Sequence, residues 1–235
     1  MAKGSHNPNI KVALFLFLLL FLPLAVFYAS NSQLNENRSR AANLVGEGGC
    51  SEDQILYQRY SISVTGVESC QKKRVILDAV LNAYSYPSLG RKLGDTPLEF
   101  KNIDENNRNW AYTTNKNLIK LYRFEAQLTD KEWKYIITHE LFHVLYQRRN
   151  TYLDKYNSAY SSLANTDRSC FRNTSKGKVI KTYAAQVPEN AKHESFAESG
   201  VLYILGESPF NQFGEINNFR GQCGNSYEWF DENIF

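Results

Sequence analysis

The sequence predicts an α+β domain behind a separate apolar N-terminal segment. Two observations carry the prediction. Period-2 alternation and helix-period spacing both occur, in the order strand, helix, three short strands, helix, long connection, helix. The apolar run near the N-terminus shares neither period, because it is apolar on every face. Hydrophobic residues at 43% and charged residues at 22% exclude a disordered or fibrous chain.

The N-terminal run spans Val12 to Ala29 without a charge, about the length that crosses a bilayer as a helix. Lys3 and Lys11 precede it, and the next basic residue is Arg38. That asymmetry places the following chain outside the cytoplasm. The segment reads as a signal-anchor, with a cleaved signal peptide as the alternative. The small-x-small cleavage pattern is poor, since Phe27 lies two places before Ala29 and Tyr28 two before Ser30. The expected organisation is residues 1–30 as signal-anchor or signal peptide, 31–49 as a polar tether, and 50–235 as one domain.

Within the domain, Gln54 to Val64 ends in alternation at Tyr60, Ile62 and Val64, which predicts a strand. Cys70 to Tyr84 has Val75, Ile76, Ala79, Val80 and Ala83 at helical spacing, and Pro87 and Gly90 read as its stop signals. Leu98–Ile103, Trp110–Thr114 and Leu118–Phe124 are short strand-like runs. Thr129-Asp130-Lys131-Glu132 is a capping box that opens a long helix. Residues 151–182, rich in Ser, Thr, Asn and Tyr, read as irregular. Glu189 to Leu205, bounded by Pro188 and Gly206, reads as a second long helix.

The net charge of +3 is too mild for a nucleic-acid-binding stripe, so no nucleic-acid partner is expected. Cys50, Cys70, Cys170 and Cys223 contain no CxxC pair, which argues against a zinc ribbon or thioredoxin-type site. In an oxidising compartment they predict two disulfides, and proximity alone suggests Cys50–Cys70 and Cys170–Cys223.

The first long helix contains His139-Glu140-Leu141-Phe142-His143, an HExxH motif. Helix residues four apart share a face, so both imidazoles can bind one Zn²⁺. Glu140, beside the first ligand, is placed to act as general base on a zinc-activated water. A catalytic zinc takes three protein ligands. The chain has no HExxHxxGxxH extension, so the third must come from elsewhere. The second helix offers Glu194 and Glu198 on one face. One could bind zinc, and the other could accept the free N–H of a ligand imidazole. His193 is a rival ligand, but it points about 100° away from Glu194 on the helix.

HELFH followed some fifty residues later by a Tyr and then ESFAE resembles the zinc metallopeptidase family of the anthrax lethal factor catalytic domain and the clostridial Pro-Pro endopeptidases. The resemblance implies a zincin-like fold, in which a small twisted sheet with an edge strand lies over the active-site helix. It implies His139, His143 and Glu194 on zinc, Glu140 as base and Glu198 as a second carboxylate outside the metal's ligands. It also implies Tyr183 as the phenol that stabilises the oxyanion of the scissile carbonyl. Leu118–Phe124 would be the edge strand to which an extended peptide substrate adds. The chain departs from the family in its apolar N-terminal segment and four cysteines, and a Pro-Pro preference does not carry over. The expected function is a zinc endopeptidase, extracytoplasmic and either membrane-anchored or secreted. The alternatives are a membrane-tethered binding or adhesion module on a zincin scaffold, and metal-assisted hydrolysis of a different bond.

Overall fold

The computed structural model describes residues 49–94, 96–105, 109–124, 128–174, 177–180, 191–210 and 216–235. The expected anchor (12–29) and nearly all of the expected tether (31–49) lie outside the described residues. Among the described residues no helix is long and apolar enough to cross a membrane.

The chain alternates helices and strands as an α+β unit over Cys50–Phe235. The first element departs from the alternation reading. Ser51–Tyr60 is helix α1, and the strand β1 covers only Ile62–Thr65. Ser61 between them takes a left-handed conformation that ends the helix and turns the chain into the strand. Helix α2 spans Cys70–Tyr84 as its spacing predicts, with Ser69 capping the Lys72 amide. Pro87 and Gly90 do not form a simple stop. Pro87 opens a short helix α3, Pro87–Leu93, where its missing N–H costs nothing.

Strands β2 (Leu98–Ile103), β3 (Ala111–Asn115) and β4 (Leu118–Tyr122) follow within a residue or two of expectation. They form a four-stranded mixed sheet in the order β1-β2-β4-β3. β1, β2 and β4 run parallel, and β3 returns antiparallel to β4. The edge strand next to the long helix Asp130–Arg148 is therefore β3, and the assignment of Leu118–Phe124 as the edge is incorrect. β4 pairs on both sides, parallel with β2 and antiparallel with β3.

Helix α4, Asp130–Arg148, opens with the complete capping box of Thr129 and Glu132. It is buried on all sides from Tyr135 to Leu145. That burial includes Thr138, His139, Glu140 and His143, and buried polar groups of this kind are the informative ones. Residues 151–182, read as irregular, contain helix α5 (Asn150–Thr166) and a hairpin of β5 (Phe171–Thr174) and β6 (Gly177–Ile180). Leu153, Tyr156, Tyr160, Leu163 and Ala164 form the buried face of α5. Two of these five are tyrosines, so a polar-looking composition concealed an amphipathic helix.

Helix α6, Ala191–Leu205, packs against α4. At Gly200 an added Cβ would lie 2.4 Å from the Phe142 ring, so glycine is required for this approach. Two short helices end the chain, α7 (Phe219–Gln222) and α8 (Gly224–Asn233). Asp167 anchors the start of α8, accepting from the Ser226 amide at 2.7 Å and its hydroxyl at 2.6 Å. Disulfides join Cys50–Cys70 and Cys170–Cys223, as proximity suggested, and suit an oxidising environment.

Candidate metal centre

The capping box sets where α4 begins, and the helical repeat does the rest. Tyr135, His139 and His143 follow at intervals of four and share one face. The Nε2 atoms of His139 and His143 face each other at 2.9 Å. His139, Glu140 and His143 are all buried, and their candidate ligand atoms lie within 4.8 Å of one another. The group can hold a metal ion.

Helix α6 brings two carboxylates to this face. Glu194 Oε2 lies 3.2 Å from His139 Nε2 and 3.6 Å from His143 Nε2. One turn further, Glu198 Oε1 lies 3.4 Å from His139 Nδ1, on the opposite side of the ring. Glu198 is fully buried, and its other oxygen accepts a short hydrogen bond from the Tyr135 hydroxyl. The two carboxylates thus lie beside the two nitrogens of one imidazole.

Glu140 Oε2 accepts a 2.6 Å hydrogen bond from the Thr113 hydroxyl on β3. The same hydroxyl lies 3.2 Å from the Glu140 main-chain oxygen.

Imidazoles and carboxylates in this group lie within 3.2–3.6 Å of one another. Burial disfavours the charged form of His139, but Glu194 and Glu198 outweigh it and raise its pKa well above the ordinary imidazole value. Burial likewise opposes ionisation of Glu194, yet His143 and His139 hold its carboxyl far below the usual range.

His193 is half-buried and lies against Tyr146, with ring centroids 4.9 Å apart and the ring planes tilted. Burial, and then the nearby His143, lower its pKa. Tyr146 also makes an edge contact with the His143 ring at 5.4 Å. Its phenol pKa is raised mainly by burial, with Glu194 and Glu140 adding to the effect. Tyr183 lies outside the described residues.

The structure therefore unites His139, Glu140, His143 and Glu194, and adds Thr113, Tyr135 and Tyr146. Tyr135 carried a usable signal, its place four residues before His139. Thr113 carried none, because its role depends on a strand meeting a helix from a distant part of the chain. Comparison with protein-family models, curated proteins and solved structures finds no match.

Proposed function

We propose that the chain is a zinc-dependent endopeptidase working outside the cytoplasm, held at a membrane by residues 12–29 or released from it. The observation that supports this most is the convergence of three donor atoms. Ligand atoms about 2.0–2.2 Å from one tetrahedral zinc stand about 3.3–3.6 Å apart. The distances among His139 Nε2, His143 Nε2 and Glu194 Oε2 are 2.9, 3.2 and 3.6 Å. Two imidazole nitrogens and a carboxylate also form the donor set of a catalytic zinc with an open fourth position. These spacings lie within about 0.4 Å of that range, so the residues fit the ion.

His139, His143 and Glu194 would hold the metal, and Glu198 would orient His139 through Nδ1. Bound zinc supplies Lewis acidity, acidifying water and polarising the scissile carbonyl. Glu140 then takes a proton from the attacking water and returns it to the leaving amine, so no charged amide nitrogen has to depart. By its resemblance to the family phenol, Tyr183 would donate to the developing oxyanion.

The substrate is a protein or peptide in extended form, added to the sheet along β3. The Trp110 carbonyl accepts from the Tyr122 amide at 2.8 Å, so it faces β4. In antiparallel pairing the direction alternates, which turns the main-chain groups of Ala111 and Thr113 toward the open side. These are the groups an added strand would bond.

The test combines metal analysis of the full chain with mass-spectrometric cleavage profiling on a peptide library. Wild type should bind about one zinc and cut peptides. Glu140→Ala should keep zinc and lose about 10²–10⁴ in kcat. Glu194→Ala should lose zinc. Bound zinc with no turnover of any peptide favours the binding module, and zinc loss in Glu198→Ala but not Glu194→Ala reassigns the third ligand.

A further inference from the structure

We propose that Thr113 is a positioning residue: its hydroxyl fixes the Glu140 carboxylate and ties the open edge of the sheet to the base. The inference rests on the peptidase reading above and goes beyond it, since neither the motif nor its spacing mentions this threonine.

The geometry is that of a charge-assisted hydrogen bond. At 2.6 Å, Thr113 Oγ1 to Glu140 Oε2 lies in the range of an O–H donor on a carboxylate. Both residues are buried, Thr113 at 5% exposure and Glu140 at 6%, so water competes weakly for either partner. The donor is itself held rigidly. Threonine is β-branched and stiff about its first side-chain torsion, and the strand fixes its backbone opposite Ile119 of β4. A glutamate has three side-chain torsions, the last of them broad. Without an anchor the carboxylate would sample several orientations. With Oε2 held, Oε1 is the oxygen assigned to the water proton.

The hydroxyl could have been satisfied by the Glu140 main-chain oxygen at 3.2 Å. The shorter contact goes to the charged acceptor, as the stronger bond should. Thr113 occupies two relations at once. Its side chain holds the base, and its main chain faces the side where a peptide would pair. A substrate registered on β3 is thereby registered against Oε1 of Glu140 through a single residue, and misplacement of a reacting group by about 1 Å can cost 10²-fold in rate.

The experiment compares wild type, Thr113→Val and Thr113→Ser in the full chain. Valine keeps the shape and removes the donor, and serine restores the donor. Expected for Thr113→Val are unchanged zinc content and thermal midpoint, KM within about twofold, and kcat lower by about 10- to 100-fold. Thr113→Ser should recover most of that rate. Crystal structures of wild type and Thr113→Val, metal-free and zinc-loaded, should show the Glu140 carboxylate leaving its place in the variant. Wild-type kcat in Thr113→Val, a serine variant as slow as valine, or a Glu140 carboxylate that stays put would each overturn the proposal. If Thr113→Val fails to fold, Thr113→Ala takes its place in the same comparison. A zinc-loaded wild type that cuts no peptide defeats the peptidase reading instead, and the crystallographic comparison still decides the role of Thr113.

Discussion

Single residues carry the chemistry through short-range geometry. His139 has a carboxylate at each ring nitrogen, Glu194 at 3.2 Å and Glu198 at 3.4 Å. The second of these is fixed in turn by Tyr135. A buried carboxylate behind a ligand imidazole orients the ring and raises its basicity. Glu198→Ala should therefore weaken zinc binding by about 10- to 100-fold without abolishing it. A chelator competition titration checks this, and an unchanged affinity would remove Glu198 from the metal's support. Much of this level was legible in the chain, because positions four apart on a helix are neighbours whatever surrounds them. Thr113 was not, since nothing in the neighbourhood of a threonine on a strand names the helix it will face.

At the scale of elements, the site exists because α4 and α6 approach closely. Gly200 permits it, with the Phe142 ring filling the space a side chain would need. Phe142 lies inside the HExxH motif and is itself buried against Phe196 and Phe230. It has little room to yield. Gly200→Ala should overpack this contact at a cost of about 1–3 kcal/mol. For a unit of this size that lowers the thermal midpoint by about 2–4 °C per kcal/mol, readable by calorimetry. An unchanged midpoint would mean the helices slide apart without strain. Arg148 ties the far end of α4 to the β3–β4 turn and to the end of α3, donating to the Lys116 carbonyl at 2.8 Å and the Leu93 carbonyl at 2.5 Å. Helix α5 and the β5–β6 hairpin escaped the sequence reading. Their apolar stripe leans on tyrosines, and short strands of mixed polarity show no clear period.

Across the whole molecule, two covalent links and the C-terminal residues close the structure. Cys50–Cys70 encloses a separation of 20 residues and Cys170–Cys223 one of 53. On loop-closure entropy alone the first contributes about 3 kcal/mol and the second about 4 kcal/mol. Reduction should lower the thermal midpoint, and the Cys170→Ser/Cys223→Ser pair should lose more than Cys50→Ser/Cys70→Ser. The opposite order, measured by denaturant unfolding, would place the entropy gain elsewhere. The C-terminal residues are part of the same closure. Phe235 stacks on Tyr203 at 4.0 Å, and Lys92 donates to the carbonyls of Asn233 and Ile234.

The sequence by itself determined everything that depends on near neighbours along the chain: the cap and length of α4, the shared face of His139 and His143, the shared face of Glu194 and Glu198, and the run of strand-sized segments. Those follow from helical and extended repeats, which need no partner. Tertiary structure alone decided which carboxylate meets which nitrogen, which strand lies at the edge, and which hydroxyl holds Glu140. Each is a contact between segments far apart in the chain. Thr113 and Glu140 stand 27 residues apart, and Tyr135 and Glu198 stand 63 apart. Such contacts arise only when buried surfaces such as Phe142 against Gly200 select one packing among many.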